Sequence, residues 1–138
     1  MKKLTVLVLS CLSVACVKGY NPTYSFNEIQ VVNLSGKTID DVSASVVGTE
    51  KSVSCENVAK NAICYDYFGR RTYPQQGIEL SWIHGDGSRK SDVQTPPIPA
   101  YFSPAFALRL VLEINEAGSV KANYEQEEPD RDGGMMYF

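Results

Sequence analysis

The sequence predicts an all-β domain: an antiparallel β-sandwich of about seven or eight short strands. Three observations carry that prediction. Apolar residues recur with period two from Glu28 onward, the signature of half-buried strands. Clusters of Gly, Asn, Asp, Ser and Pro interrupt the alternation at short intervals, as sandwich turns do. No segment keeps the apolar stripe at i, i+3, i+4 and i+7 that a surface helix needs. With 43% apolar and 21% charged residues in 138, the chain can cover its ordering entropy around one core. Ten Gly, seven Pro and four Cys without a period exclude collagen-like and knottin-like scaffolds. A net charge of -3 argues against a nucleic-acid partner.

The strands follow in order. Ile29-Gln30-Val31-Val32-Asn33-Leu34 stops at Ser35-Gly36, and Val42-Ser43-Ala44-Ser45-Val46 stops at Gly48. A weaker stretch surrounds Val53. Ile63, Tyr65 and Tyr67 alternate with Cys64, Asp66 and Phe68 before Gly69, and Ile78, Leu80 and Trp82 alternate with Glu79 and Ser81. The turn Gly85-Asp86-Gly87 leads to a second weak stretch over Asp92 to Thr95. Leu108, Leu110, Leu112 and Ile114 then face Val120, Ala122 and Tyr124 across Asn115-Glu116-Ala117-Gly118, the strongest hairpin signal in the chain. Immunoglobulin-like and transthyretin-like connectivities both accommodate these strands. The immunoglobulin pattern of a Trp between two paired Cys fails, because Trp82 follows both Cys55 and Cys64. A small open barrel is the architectural alternative.

The first residues concern address rather than fold. Met1-Lys2-Lys3 precedes an apolar run from Leu4 to Val17, the charged and apolar regions of an export signal. That run is too short to span a bilayer, which takes roughly 20 apolar residues. It ends in Leu12-Ser13-Val14-Ala15-Cys16, which resembles the lipobox of bacterial lipoproteins, with a small residue before the acceptor Cys and Ser13 where the commonest pattern has Leu. The resemblance implies that Cys16 is acylated and anchors the chain to a membrane, several acyl chains giving stable attachment. Val17 and Lys18 after it resemble the pattern of outer-membrane lipoproteins, which implies the cell envelope, facing the periplasm or the surface. Leu9-Ser10 before Cys11 offers a second acceptor, but the longer apolar run favours Cys16. A plain secretory signal would leave an odd thiol to explain. Residues 1–15 thus read as signal, 16–27 as tether, 28–125 as sandwich and 126–138 as an acidic tail.

Within an exported chain Cys55 and Cys64 are expected to form a structural disulfide rather than a redox or zinc pair. His84 is the only His and sits in the turn His84-Gly85-Asp86-Gly87, a hairpin end rather than a calcium loop. Asp40-Asp41 and Glu127-Glu128 make no glycosidase dyad, and no G-x-S-x-G, P-loop, G-x-G-x-x-G or H-E-x-x-H occurs. The reading is therefore non-catalytic, with no cofactor and no metal. The candidate contact surface lies in Thr95 to Phe106, where four Pro and three aromatics, Tyr101, Phe102 and Phe106, form an extended connection. Phe102 and Phe106 also suit a lid over the core, with Tyr101 outward. Arg70-Arg71, before Thr72-Tyr73-Pro74, is a small basic pair able to meet lipid headgroups or polysaccharide. The expected function is a membrane-anchored envelope lipoprotein acting as a binding or accessory module. Its expected partners are the membrane, through the lipid, and an envelope protein or polysaccharide; no nucleic acid is expected. An inhibitor of host hydrolases and a structural tether in an envelope complex are the alternatives.

Overall fold

A computed structural model describes residues 22–126. They form eight strands: β1 (Ser25–Leu34), β2 (Ile39–Val46), β3 (Ser52–Val58), β4 (Ile63–Thr72), β5 (Ile78–Ile83), β6 (Arg89–Gln94), β7 (Leu108–Asn115) and β8 (Val120–Gln126). The strands lie in two sheets, ordered β4-β1-β7-β8 and β3-β2-β5-β6. Every pairing is antiparallel except β1 with β7, which run parallel. The sheets are not closed on each other, so the molecule is a sandwich and the small-barrel alternative falls. Its first two strands occupy different sheets, whereas an immunoglobulin domain keeps them together; of the two connectivities allowed by the sequence, the transthyretin-like one remains. Among the described residues no helix is long and apolar enough to cross a membrane.

Alternation explains the core. Ile29, Val31, Leu108, Leu110, Leu112 and Ile114 point inward from one sheet, and Ile39, Val42, Ala44, Ile78, Leu80 and Trp82 from the other, all at most 1% exposed. A bulge between Phe26 and Glu28 shifts the register of β1 against both neighbours, so Phe26 and Ile29, three residues apart, both face inward. Because Phe26 is fully buried, β1 starts at Ser25, ahead of the sandwich boundary at Glu28, and shortens the stretch read as tether. The last strand runs to Gln126, one residue past the boundary at the other end. The expected signal, Cys16 with residues 17–21, and tail residues 127–138 lie outside the described residues.

The edge strands follow their neighbours rather than their own hydrophobicity. In β4 the Cys64 side turns inward and Ile63, Tyr65 and Tyr67 turn to solvent at 48%, 64% and 63% exposure. In β6 the inward positions opposite Ile78, Leu80 and Trp82 are Gln94, Asp92 and Lys90. Polar side chains aimed inward on an edge strand discourage pairing with another chain. They also explain why β6 reads weakly in the sequence.

Cys55 on β3 and Cys64 on β4 are disulfide-bonded. Since β3 and β4 are edge strands of different sheets, the bond staples the two layers along one side. Asn33 secures the same corner. Fully buried at the end of β1, it donates to the carbonyls of Lys37 (2.7 Å) and Val58 (2.9 Å) and accepts from the amide and hydroxyl of Ser35. Its backbone amide also bonds Ala62 O, and its carbonyl accepts from Asn61 N. A buried amide left without these partners would cost roughly 1–3 kcal/mol.

The disulfide closes a separation of nine residues, which loop entropy values at about 2.5 kcal/mol. The Cys55→Ala, Cys64→Ala double variant is expected to lose stability of that order in urea unfolding. Trp82, the sole Trp and 1% exposed, supplies the fluorescence signal. An unchanged midpoint would show that the staple contributes nothing.

Candidate functional site

Strand directions divide the molecule's two ends. Residues 22–24, 47–51, 73–77 and 95–107 gather at one end, the loop end; residues 35–38, 59–62, 84–88 and 116–119 gather at the other, the turn end.

At the loop end the chain from Thr95 to Ala107 carries Pro96, Pro97, Pro99 and Pro104, which lack the N–H a sheet ladder needs and so keep this stretch out of the sheets. Two tight turns fold it, Phe102 N donating to Pro99 O (3.0 Å) and Phe106 N to Ser103 O (3.3 Å). Side chains from four other places hold it. Tyr124 donates from its hydroxyl to Pro96 O (2.6 Å) and Arg70 from Nη2 to Ala105 O (2.6 Å). Tyr24 donates to Phe102 O (3.4 Å). The Gln126 amide accepts from Ser103 N and donates to the carbonyls of Ser103 and Phe106.

Of the residues expected to form a contact surface, Tyr101, Phe102 and Arg70 come together here. Phe102 packs against the core and Tyr101 stands outward, 83% exposed, its ring edge-on to Phe102 at 5.1 Å between centroids. Phe106 is half-buried in the same loop. Arg71 is exposed beside Arg70, opposite Phe26 in the strand register. A shallow cleft of about 530 Å³ next to the loop is lined by Pro22, Tyr24, Gln75, Pro97 and Ile98.

Behind the loop the aromatics form a buried cluster. Phe26 meets Phe68 and Tyr73 edge-on, and Tyr73 meets Tyr124 at 5.7 Å. The Tyr73 and Tyr124 hydroxyls lie 2.8 Å apart. Because the Tyr124 proton goes to Pro96 O, Tyr73 is the donor of that pair. Burial is the main cause that pushes both phenols above their usual range, Tyr124 the further.

The turn end holds the chain's only imidazole. Trp82 Nε1, which can only donate, reaches His84 Nδ1 at 3.2 Å, so the ring's proton is on Nε2 and is given to Glu116 O at 3.1 Å. His84 thereby ties two hairpin turns together. The β5–β6 turn closes with Gly87 N to His84 O and His84 N to Ser88 O, both 2.8 Å. Asp86 accepts from the Ser88 amide and hydroxyl, and these bonds hold its carboxyl below the usual value. An open cleft of about 420 Å³ lies here among Ser35, Lys37, His84, Asp86 and Glu116. Among the described residues no three His, Cys, Asp or Glu side chains are grouped as metal ligands.

The sequence reading did not single out the outer face of the β4-β1-β7-β8 sheet. There Arg109 joins Glu28 (2.7 Å) and Glu125 (3.1 Å), and Gln30 donates to Glu28 (2.8 Å). Tyr67 and Tyr65 flank these polar rows, opposite Glu28 and Gln30. Strand parity alone places Tyr65 and Tyr67 together; which side faces water comes from the register with β1.

No family model matches the chain, and no curated protein does. Among solved structures it is similar to an NMR structure of a protein from Eubacterium rectale, at 12% identity, with 81% of this chain and all of that one covered and a TM-score of 0.47.

The tyrosine pair yields a pH prediction. The unfolded chain ionises its phenols from about pH 10 while the folded chain keeps their protons, so stability falls as pH rises above 10. The urea midpoint should drop between pH 9 and about 11, and the Tyr73→Phe, Tyr124→Phe double variant should drop less over that interval. An equal drop in the variant would remove the pair as its cause.

Proposed function

We propose that this chain is a cell-envelope lipoprotein whose sandwich is a non-catalytic binding or accessory module. Acylated Cys16 anchors it, and the loop-end surface around Tyr101, Phe102 and Arg70 makes the contact. The observation that carries the contact reading is Tyr101, which exposes 83% of its surface on a loop braced by Tyr24, Arg70, Tyr124 and Gln126. An aromatic ring displayed to water adds nothing to the core. On a braced loop most of the ordering cost of association is met before a partner arrives. Tyr is also among the side chains that dominate contact surfaces, because a large area comes with few rotatable bonds.

The anchoring reading is supported by the residues from Leu4 to Cys16. An apolar run with no charge ends in Ala15-Cys16, and the two remaining Cys of the exported chain pair with each other, leaving Cys16 as the thiol available for acylation. Val17 and Lys18 favour the outer membrane as its destination.

Radiolabelled palmitate supplied to cells expressing the full chain is expected to label the wild type and to be lost completely in Cys16→Ala. Persistent labelling of that variant would move the acceptor to Cys11, and an unlabelled wild type would refute the anchor. Tyr101→Ala is expected to weaken envelope association measured by cross-linking at constant expression, with the Trp82 emission unchanged.

A further inference from the structure

We infer that the loop end of the sandwich rests on the phosphate-bearing surface of the bilayer that holds the anchor, with Tyr101 in the headgroup layer and Arg70 and Arg71 on lipid phosphates. This rests on the anchoring reading above and names the partner of its contact surface.

The chain path sets the orientation. Tyr24 is buried, its carbonyl accepts from Tyr73 N (2.8 Å), and Pro22 lies in the cleft with Pro97 and Ile98. The chain therefore enters the fold beside the 95–107 loop. From Cys16 to Pro22 a fully extended chain spans only about 20 Å at roughly 3.3 Å per residue. This is well short of what a tether reaching Asn27 would allow. The loop end is thus held near the membrane, while β7, eight residues long, puts the turn end about 27 Å further along the strand direction.

The chemistry at the near end suits a headgroup layer. Tyr101 is the most exposed large apolar side chain described, and Tyr is favoured where an apolar ring and a polar hydroxyl meet the two sides of an interface. Arg70 and Arg71 are both exposed at the close of β4. Arg71 makes no ion pair among the described residues, and Arg70 spends one N–H on Ala105 O. A guanidinium fork matches phosphate oxygens bidentately. At the far end the exposed charges are of both signs, Lys37 and Lys60 with Asp86 and Glu116.

The test uses the exported, processed protein reconstituted in vesicles of phosphatidylethanolamine and phosphatidylglycerol carrying shallow brominated acyl chains. Tyr101→Trp and Glu116→Trp are compared, with the constant emission of buried Trp82 measured in the wild type and subtracted. The expected result is loss of most of the added emission at position 101 and none at position 116. The Arg70→Gln, Arg71→Gln pair should restore much of the emission of the Tyr101→Trp protein while Trp82 reports an intact fold. Equal quenching at both positions, or none at 101, overturns the orientation. Protein that fails to float with the vesicles overturns the anchor and the orientation together; protein that floats with position 101 unquenched overturns the orientation alone.

Discussion

The place of β1 in the middle of its sheet governs the rest of the molecule. Paired with β4 on one side and β7 on the other, and burying Phe26, Ile29 and Val31 completely, it fixes the register of three strands at once. Burial of those side chains contributes on the order of 1.5–3 kcal/mol each. The parallel pairing with β7 has a geometric consequence. It makes β1 and β7 begin at the same end, so the point where the chain enters the fold and the proline-rich loop that delivers β7 lie side by side. The candidate contact surface therefore sits next to the point where the chain enters the fold, an arrangement an antiparallel pairing of these strands would have forbidden.

Closure of the sandwich depends on fewer atoms. Two sheets joined only by their packed faces have open sides, and here one side is bonded covalently through Cys55 and Cys64 while Asn33 fills its hydrogen-bonding capacity at the adjoining corner. The loop end is closed by aromatic packing, with Phe102 and Ile98 set against the core and Tyr73, Tyr124 and Pro96 joined in one line of hydrogen bonds. At the turn end His84 is held by Trp82 and Glu116, so its ring serves as a clasp between hairpins.

Period-two alternation made the central strands legible. The alternating apolar sets Ile29 and Val31 in β1, Ile78, Leu80 and Trp82 in β5, and Leu108, Leu110, Leu112 and Ile114 in β7 are the buried ones, although Leu34 at the end of β1 is 43% exposed and Asn33 beside it is buried. Asn115 to Gly118 also marked its hairpin, because a positive φ there, 77° at Gly118, suits glycine. Edge strands were harder to read for a physical reason. A strand with one neighbour takes its facing from that neighbour's hydrogen bonds, so the apolar Ile63, Tyr65, Tyr67 and Val93 stand in water while Asp92 and Lys90 turn inward. The extension of β1 to Ser25 was hidden by a bulge, which breaks the alternation between Phe26 and Ile29. Of the candidate site, Tyr101 and the prolines were visible as a surface segment. The approach of Arg70 to Ala105 and the bracing by Gln126 were not, since they join residues 35 and 20 positions apart that only the folded sheets bring together.

The proposed function requires cleavage before Cys16 and acylation of that residue. Intact-mass and peptide mass spectrometry of protein extracted from the envelope tests this most directly. The account predicts a chain whose first residue is Cys16, heavier than its sequence by the mass of its acyl groups and lighter by two hydrogens for the Cys55 to Cys64 bond. A chain that retains Met1, or one trimmed near residue 16 without added lipid, would contradict it.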